Sequence, residues 1–138
     1  MSVSLALIAA AQLLPVTIPF GRPRQVEQAR APIERAGPRW VRACGSSTDW
    51  DQPAPPVRIH ANTYYVGTCG IAAILVTGSA GHVLIDAGTE KGAGLIAANI
   101  RSLGFKVEDI RYLLHSHEHL DHVGGMARLK QLSRAQLI

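Results

Sequence analysis

An α/β (α+β) fold is predicted by three features of the sequence. Short β-branched runs alternate with Gly-rich turns over residues 57–85. Apolar residues then recur at helical spacing in two stretches, 95–103 and 126–132, and the strand-like Tyr112-Leu113-Leu114 lies between them. The composition agrees. A chain of 138 residues with 47% apolar, 17% charged and 5% aromatic side chains and 13 glycines suits one loop-rich domain better than a helical bundle.

The chain opens on an apolar run, Val3 to Phe20, broken by Gln12 and Pro15. Its core, Ser4 to Leu14, has the length of a secretory h-region, and Ala9-Ala10-Ala11 offers a small-residue cleavage pattern, although no Lys or Arg precedes the run. Residues 1–20 therefore read as a signal peptide. Pro15 and the shortness of the run argue against a membrane span. Residues 21–43 read as a basic Pro/Arg-rich linker, with helical potential from Val26 to Arg35 interrupted by Pro32. Arg22, Arg24, Arg30, Arg35, Arg39 and Arg42 outnumber Glu27 and Glu34 there by four, which equals the net charge of +4. The rest of the chain is balanced, and no aromatic residue interleaves with these arginines before Trp40. A nucleic-acid-binding face is thereby excluded in favour of a basic leader.

The folded part is taken as residues 44–138, with order expected to begin near Trp50. Asp51 to Pro56 contains three prolines and must be extended. Val57 to Val66 reads as a first strand, Gly67 to Gly70 as a turn, and Ile71 to Thr77 as a second strand. Gly78 to Gly81 is a further turn, and His82 to Ile85 a third strand, giving an antiparallel meander. Asp86 to Thr89 is a loop with Thr89 as helix N-cap. Leu95, Ile96, Ile100 and Leu103 mark a helix that Gly104 ends. Val107 to Arg111 leads into the strand Tyr112 to Leu114. Met126, Leu129 and Leu132 mark a second helix, and Gln136 to Ile138 the start of another strand.

His117, His119, Asp121 and His122 set four ligand-type side chains within six residues, between an apolar strand and a helix. In extended chain, residues two apart point to the same side, so His117 and His119 can grip one ion. Asp121 and His122 are neighbours and diverge, so they can serve a second ion close by. Imidazole and carboxylate suit zinc, and the lack of thiolate argues against a structural zinc finger. His115 reads as a strand-end residue outside the cluster, and Glu118 as pointing away from it. His60 and His82 read as surface or edge residues. Asp86 either orients a ligand loop by hydrogen bonding or is an ordinary helix-entry residue. Two cysteines, Cys44 and Cys69, permit one disulfide or two free thiols.

The order H-x-H-x-D-H followed by Gly124-Gly125 resembles the metallo-β-lactamase superfamily. Asn62 to Ile71, with Tyr65-Val66-Gly67-Thr68 inside it, and His82 to Asp86 resemble subclass three of the class B β-lactamases. The resemblance runs from about Cys44 to the end. It implies the first half of an αβ/βα sandwich, two zinc ions in the complete protein, a β-lactam substrate, a monomer, and a periplasmic or secreted address. No nucleic-acid partner, and no membrane contact beyond the signal peptide, is implied. His117 and His119 match ligands of the first zinc, and Asp121 and His122 those of the second. The resemblance gives Asp121 a further catalytic role, helping to hold the attacking hydroxide. Some relatives pair cysteines in the places of Cys44 and Cys69, which implies the disulfide.

The family draws one more histidine per ion from its carboxy-terminal half, and no His, Cys, Asp or Glu follows His122. The sequence is therefore expected to be an amino-terminal fragment with one sheet face uncovered, weak zinc binding and little activity alone. Two alternatives share the motif: a lactonase or glyoxalase II-like thioesterase, and a non-enzymatic metal-binding remnant.

Overall fold

The computed structural model describes residues 36–138. Residues 1–20, read from sequence as a signal peptide, and most of the stretch read as a basic linker lie outside the described residues.

Order begins earlier than the composition suggests. Ala36–Cys44 forms a helix, α1, in what reads from sequence as linker and well before Trp50. Pro38 is tolerated because it lies in the first turn, where backbone N–H groups have no helical partner. Tertiary contacts then hold the helix. Trp40 meets Tyr65 edge-on at 6.1 Å, and Cys44 is bonded to Cys69. Cys44, Ala54 and Cys69 form a small buried cluster against which Trp40 and Tyr65 pack.

The meander follows, with one strand more than the sequence suggests. The run Val57 to Val66 is a hairpin rather than a single strand: β1 (Val57–His60) turns at Ala61-Asn62 into β2 (Thr63–Tyr65). Ala61 takes φ +43°, and the Arg58 Nε–H donates to its carbonyl at 2.6 Å. Asn62 secures the turn to the next strand end, since its carbonyl accepts from Thr77 N–H at 2.9 Å and its amide donates to Thr77 O. Next come β3 (Ile74–Val76) and β4 (His82–Ile85), both antiparallel to their predecessors. His82 is buried, not at a surface or edge: its ring packs edge-on against Phe105 at 5.4 Å, and Nδ1 accepts from Gly78 N–H.

The chain then crosses over through α2 (Gly92–Ser102) and a 3-10 turn (Val107–Asp109) to β5 (Ile110–Leu114), which lies parallel to β4. Thr89 caps as expected: Oγ1 accepts from Gly92 N–H at 3.0 Å and its carbonyl from Ala93 N–H at 3.2 Å. At the other end Gly104, at φ +85°, lets Phe105 N–H reach Ile100 O and its own N–H reach Arg101 O, the paired bonds of a Schellman stop. A short helix, α3 (Leu120–Val123), then α4 (Met126–Ser133) and β6 (Gln136–Leu137) complete the described chain, with β6 parallel to β5. The six strands form one mixed sheet in the order β1-β2-β3-β4-β5-β6.

The core lies on one face of that sheet. Val66, Leu75, Leu84, Ile110 and Leu113 meet Ile96 and Ile100 of α2 and Leu129 of α4, all fully buried. Removing one such side chain costs about 2–5 kcal/mol. On the alternate positions Ile74, Val76, Val83 and Ile85 are half-buried and Tyr112 is exposed, as expected of a face that carries less cover. Asn99 ties α2 to the sheet edge by donating to the carbonyls of Ala54, Val66 and Gly67 at 3.0–3.1 Å.

Candidate metal centre

The predicted ligands gather at the carboxyl ends of the two central parallel strands, where open α/β sheets bring loops together for chemistry. Two backbone bonds join the loops that leave β4 and β5: Asp86 N–H to Leu114 O at 2.9 Å and Ala87 N–H to His122 O at 2.8 Å. A third element closes on them. Gly125 N–H donates to Gly88 O at 3.0 Å, and a Cβ on Gly125 would sit 2.2 Å from Ala87 O. Only glycine lets the α3–α4 junction come this near.

Asp86 holds φ +65°, a conformation that non-glycine residues adopt at a cost of about 1–3 kcal/mol and that clusters at functional sites. Its carboxylate accounts for the strain. Oδ1 accepts from Ser116 N–H at 2.7 Å, and Oδ2 accepts from Ser116 Oγ at 2.9 Å and from His122 Nδ1 at 2.9 Å. Of the two roles open to Asp86 in the sequence, the structure therefore selects the orienting one. Burial alone would raise its pKa. The Ser116 N–H, the His122 bond and charge, and the Ser116 hydroxyl outweigh burial and hold the carboxyl below the usual carboxylate range.

The three motif histidines stand together. The His117 ring lies 3.9 Å from His122 and 4.7 Å from His119, centroid to centroid. His122 Nε2 is 3.3 Å from Asp121 Oδ2. Two ligands of a tetrahedral zinc at about 2.0–2.2 Å lie about 3.3–3.5 Å apart, so this pair already has the spacing of one coordination edge. With Nδ1 of His122 committed to Asp86, Nε2 is the nitrogen left for a metal, the carboxylate–histidine arrangement common behind zinc ligands. The donor set fits zinc. Among the described residues no group of three or more His, Cys, Asp and Glu side chains surrounds one point. Two ligands per ion is the distribution that the motif suggests.

His115, Glu118 and His60 are exposed and make no hydrogen bond to this cluster. Ser116 is the participant that sequence reasoning missed. Its hydroxyl stands 3.0 Å from His117 Nδ1 and 3.3 Å from His122 Nδ1, yet nothing in a serine between two histidines signals that role. A separate shallow cleft, lined by Glu108, Arg111, Tyr112, Gln131, Arg134 and Gln136, holds none of the motif residues.

Comparison with known proteins gives one answer. The family model described as the metallo-beta-lactamase superfamily matches residues 66–138. The solved structure of the MIM-2 metallo-beta-lactamase is 61% identical over 74% of this chain, with a TM-score of 0.71. That of MIM-1 from Novosphingobium pentaromativorans is 51% identical over 71% of this chain, TM-score 0.69. MEM-A1, a subclass B3 metallo-beta-lactamase from a soil metagenome library, is 47% identical over 64%, TM-score 0.64. The aligned parts make up 38%, 37% and 34% of those three chains respectively.

Proposed function

Because the chain belongs to the metallo-beta-lactamase superfamily, we propose that its parent activity is zinc-dependent hydrolysis of the β-lactam ring, and hence antibiotic resistance. The carrying observation is the strand-end cluster: three imidazoles and Asp121 stand side by side, and Asp86 holds His122 by Nδ1 so that its Nε2 faces Asp121. Identity of 46–61% to metallo-beta-lactamases with solved structures favours the lactam ring over a lactone or thioester.

His117 and His119 would hold one zinc, Asp121 and His122 the other. Zinc, when bound, makes water acidic enough to act as a nucleophile near neutral pH and polarises a carbonyl. The chain's own groups do the rest. Asp121, beside His122 Nε2, has a second carboxylate oxygen with which to orient the attacking water and accept its proton. Asp86 keeps His122 aimed by its Nδ1 bond, and the Gly125 contact keeps the ligand loop seated on residues 87–89. Residues 1–138 contribute two protein ligands per ion, whereas catalytic zinc sites use three. By themselves they should bind zinc more weakly and turn over more slowly than a site with all its ligands.

The Cys44–Cys69 bond supports a periplasmic or secreted setting, in which disulfides persist. The test is competitive turnover by the full-length protein: a chromogenic cephalosporin against a lactone and a glutathione thioester, with chelator and zinc add-back. Cephalosporin hydrolysis lost to chelator and restored by zinc is the expected result. Thioester or lactone turnover without lactam turnover would overturn it.

A further inference from the structure

We infer that Ser116 is a positioning residue that, together with Asp86, sets the imidazole tautomer of one histidine in each ligand pair, so that both pairs are prepared by one carboxylate. Its consequence for metal rests on the zinc reading above; its geometry does not.

The proton accounting runs outward from Asp86. A carboxylate only accepts. Its Oδ2 faces both Ser116 Oγ and His122 Nδ1 at 2.9 Å, so both must donate. A serine hydroxyl has one proton, and Asp86 takes it. Toward His117 Nδ1, 3.0 Å away, Ser116 Oγ can then only accept, so His117 carries its proton on Nδ1. The 3.3 Å approach of His122 Nδ1 to the same oxygen imposes the same demand on His122. The neutral His117 ring therefore presents a bare Nε2, while His122, its Nδ1 proton fixed by Asp86, turns Nε2 toward Asp121 Oδ2 at 3.3 Å, where a zinc ion would replace the proton between them. Free imidazole side chains in water favour the opposite tautomer, with the proton on Nε2, which must be displaced before a metal can bind there. His119 supplies an internal control: among the described residues its ring has no hydrogen-bond partner and meets His117 edge-on.

The chain of donation distinguishes the two partners. Ser116→Ala removes only the acceptor for His117, and His122 keeps Asp86. In Asp86→Asn the oxygen must stay at Oδ1 to accept from Ser116 N–H, so the amide NH2 replaces Oδ2. An NH2 cannot accept from His122. It donates to Ser116 instead, which frees the hydroxyl to donate to His117, and both rings reverse.

Long-range 1H–15N spectra of the metal-stripped full-length protein at about pH 8, above the ordinary imidazole pKa, read the tautomers directly. The wild type should show Nδ1–H at His117 and His122 and a mixture at His119. Ser116→Ala should move His117 alone, Ser116→Thr should restore it, and Asp86→Asn should move both. Zinc titration of the same samples should show a loss of about 10–100-fold in one binding step for Ser116→Ala and in both for Asp86→Asn. Nδ1–H retained at His117 in Ser116→Ala, or reversal of His117 and His122 together in that variant, would overturn the inference. A wild type with the stated tautomers but no zinc affinity would instead overturn the zinc reading and leave the tautomer assignment standing.

Discussion

Two corners of this molecule are secured by opposite means. At the carboxyl ends of β4 and β5, loops are held by polar groups: Asp86 on Ser116 and His122, and backbone bonds from Asp86, Ala87 and Gly125. At the Cys44–Cys69 corner the chain is held by a covalent bond, the edge-on pair Trp40 and Tyr65, and the Thr68 hydroxyl, which donates to Trp50 O at 2.6 Å while accepting from Ile71 N–H. The first corner keeps donor atoms bare and aimed. The second leaves nothing free: even the Tyr65 hydroxyl, its pKa raised by burial, is used on the carbonyls of Thr68 and Ile71. Substitutions should therefore separate into two classes, metal affinity without stability and stability without metal affinity.

The sharpest test of that separation is His117→Ala with His119→Ala. Zinc affinity measured by equilibrium dialysis should fall by more than about 100-fold, beyond what loss of an outer-shell partner costs, while the urea midpoint of the metal-free protein stays put. Unchanged affinity would remove the case for a specific site. The mirror experiment is Cys44→Ser with Cys69→Ser. Opening a link between residues 25 apart should cost about 3.5 kcal/mol by chain entropy, read from urea unfolding, with zinc affinity within twofold of wild type. Gly125→Ala should break the comparison, because its Cβ would collide with Ala87 O and push the ligand loop off its seat. About 1–3 kcal/mol of stability should be lost together with zinc affinity, by the same two measurements. The smallest effect is on acid sensitivity. The Asp86 carboxyl is held below its unfolded value, so its contribution is fully present above about pH 4 and disappears as pH falls through the folded pKa. Urea midpoints from about pH 5 downward should decline less steeply in Asp86→Asn than in wild type.

The ligand corner was largely legible in the sequence because its signal is local. His117, His119, Asp121 and His122 fall within six residues, and the Gly-rich turns and helical spacings around them are local too. What escaped notice depends on distant partners. Helix α1 has apolar residues at helical spacing, Ala36, Trp40 and Cys44, but its Pro/Arg-rich setting masks them, and the partners that hold it, Tyr65 and Cys69, lie about 25 residues away. The Ala61-Asn62 turn is flanked on both sides by strand formers, with Asn62 its one local cue, and the bonds from Asn62 to Thr77 fix it. His82 looked like an edge residue because a polar side chain in a short strand usually is one; Phe105, from beyond the next helix, buries it. Ser116 acquires its role only from Asp86, 30 residues earlier.

That 30-residue separation also orders events in time. The hairpins of the meander close over few residues, whereas Asp86 meets Ser116 and His122 only after α2 has formed and β5 has docked in parallel beside β4. Such non-local parallel pairing is the slow part of folding. On the ribosome, Asp86 emerges before the partners that hold its left-handed conformation have been synthesised. The Ser116 amide should accordingly be among the last to gain protection in pulse-labelled refolding, after those of β2 and β3. Metal capture would then mark a finished domain and could not help to start one.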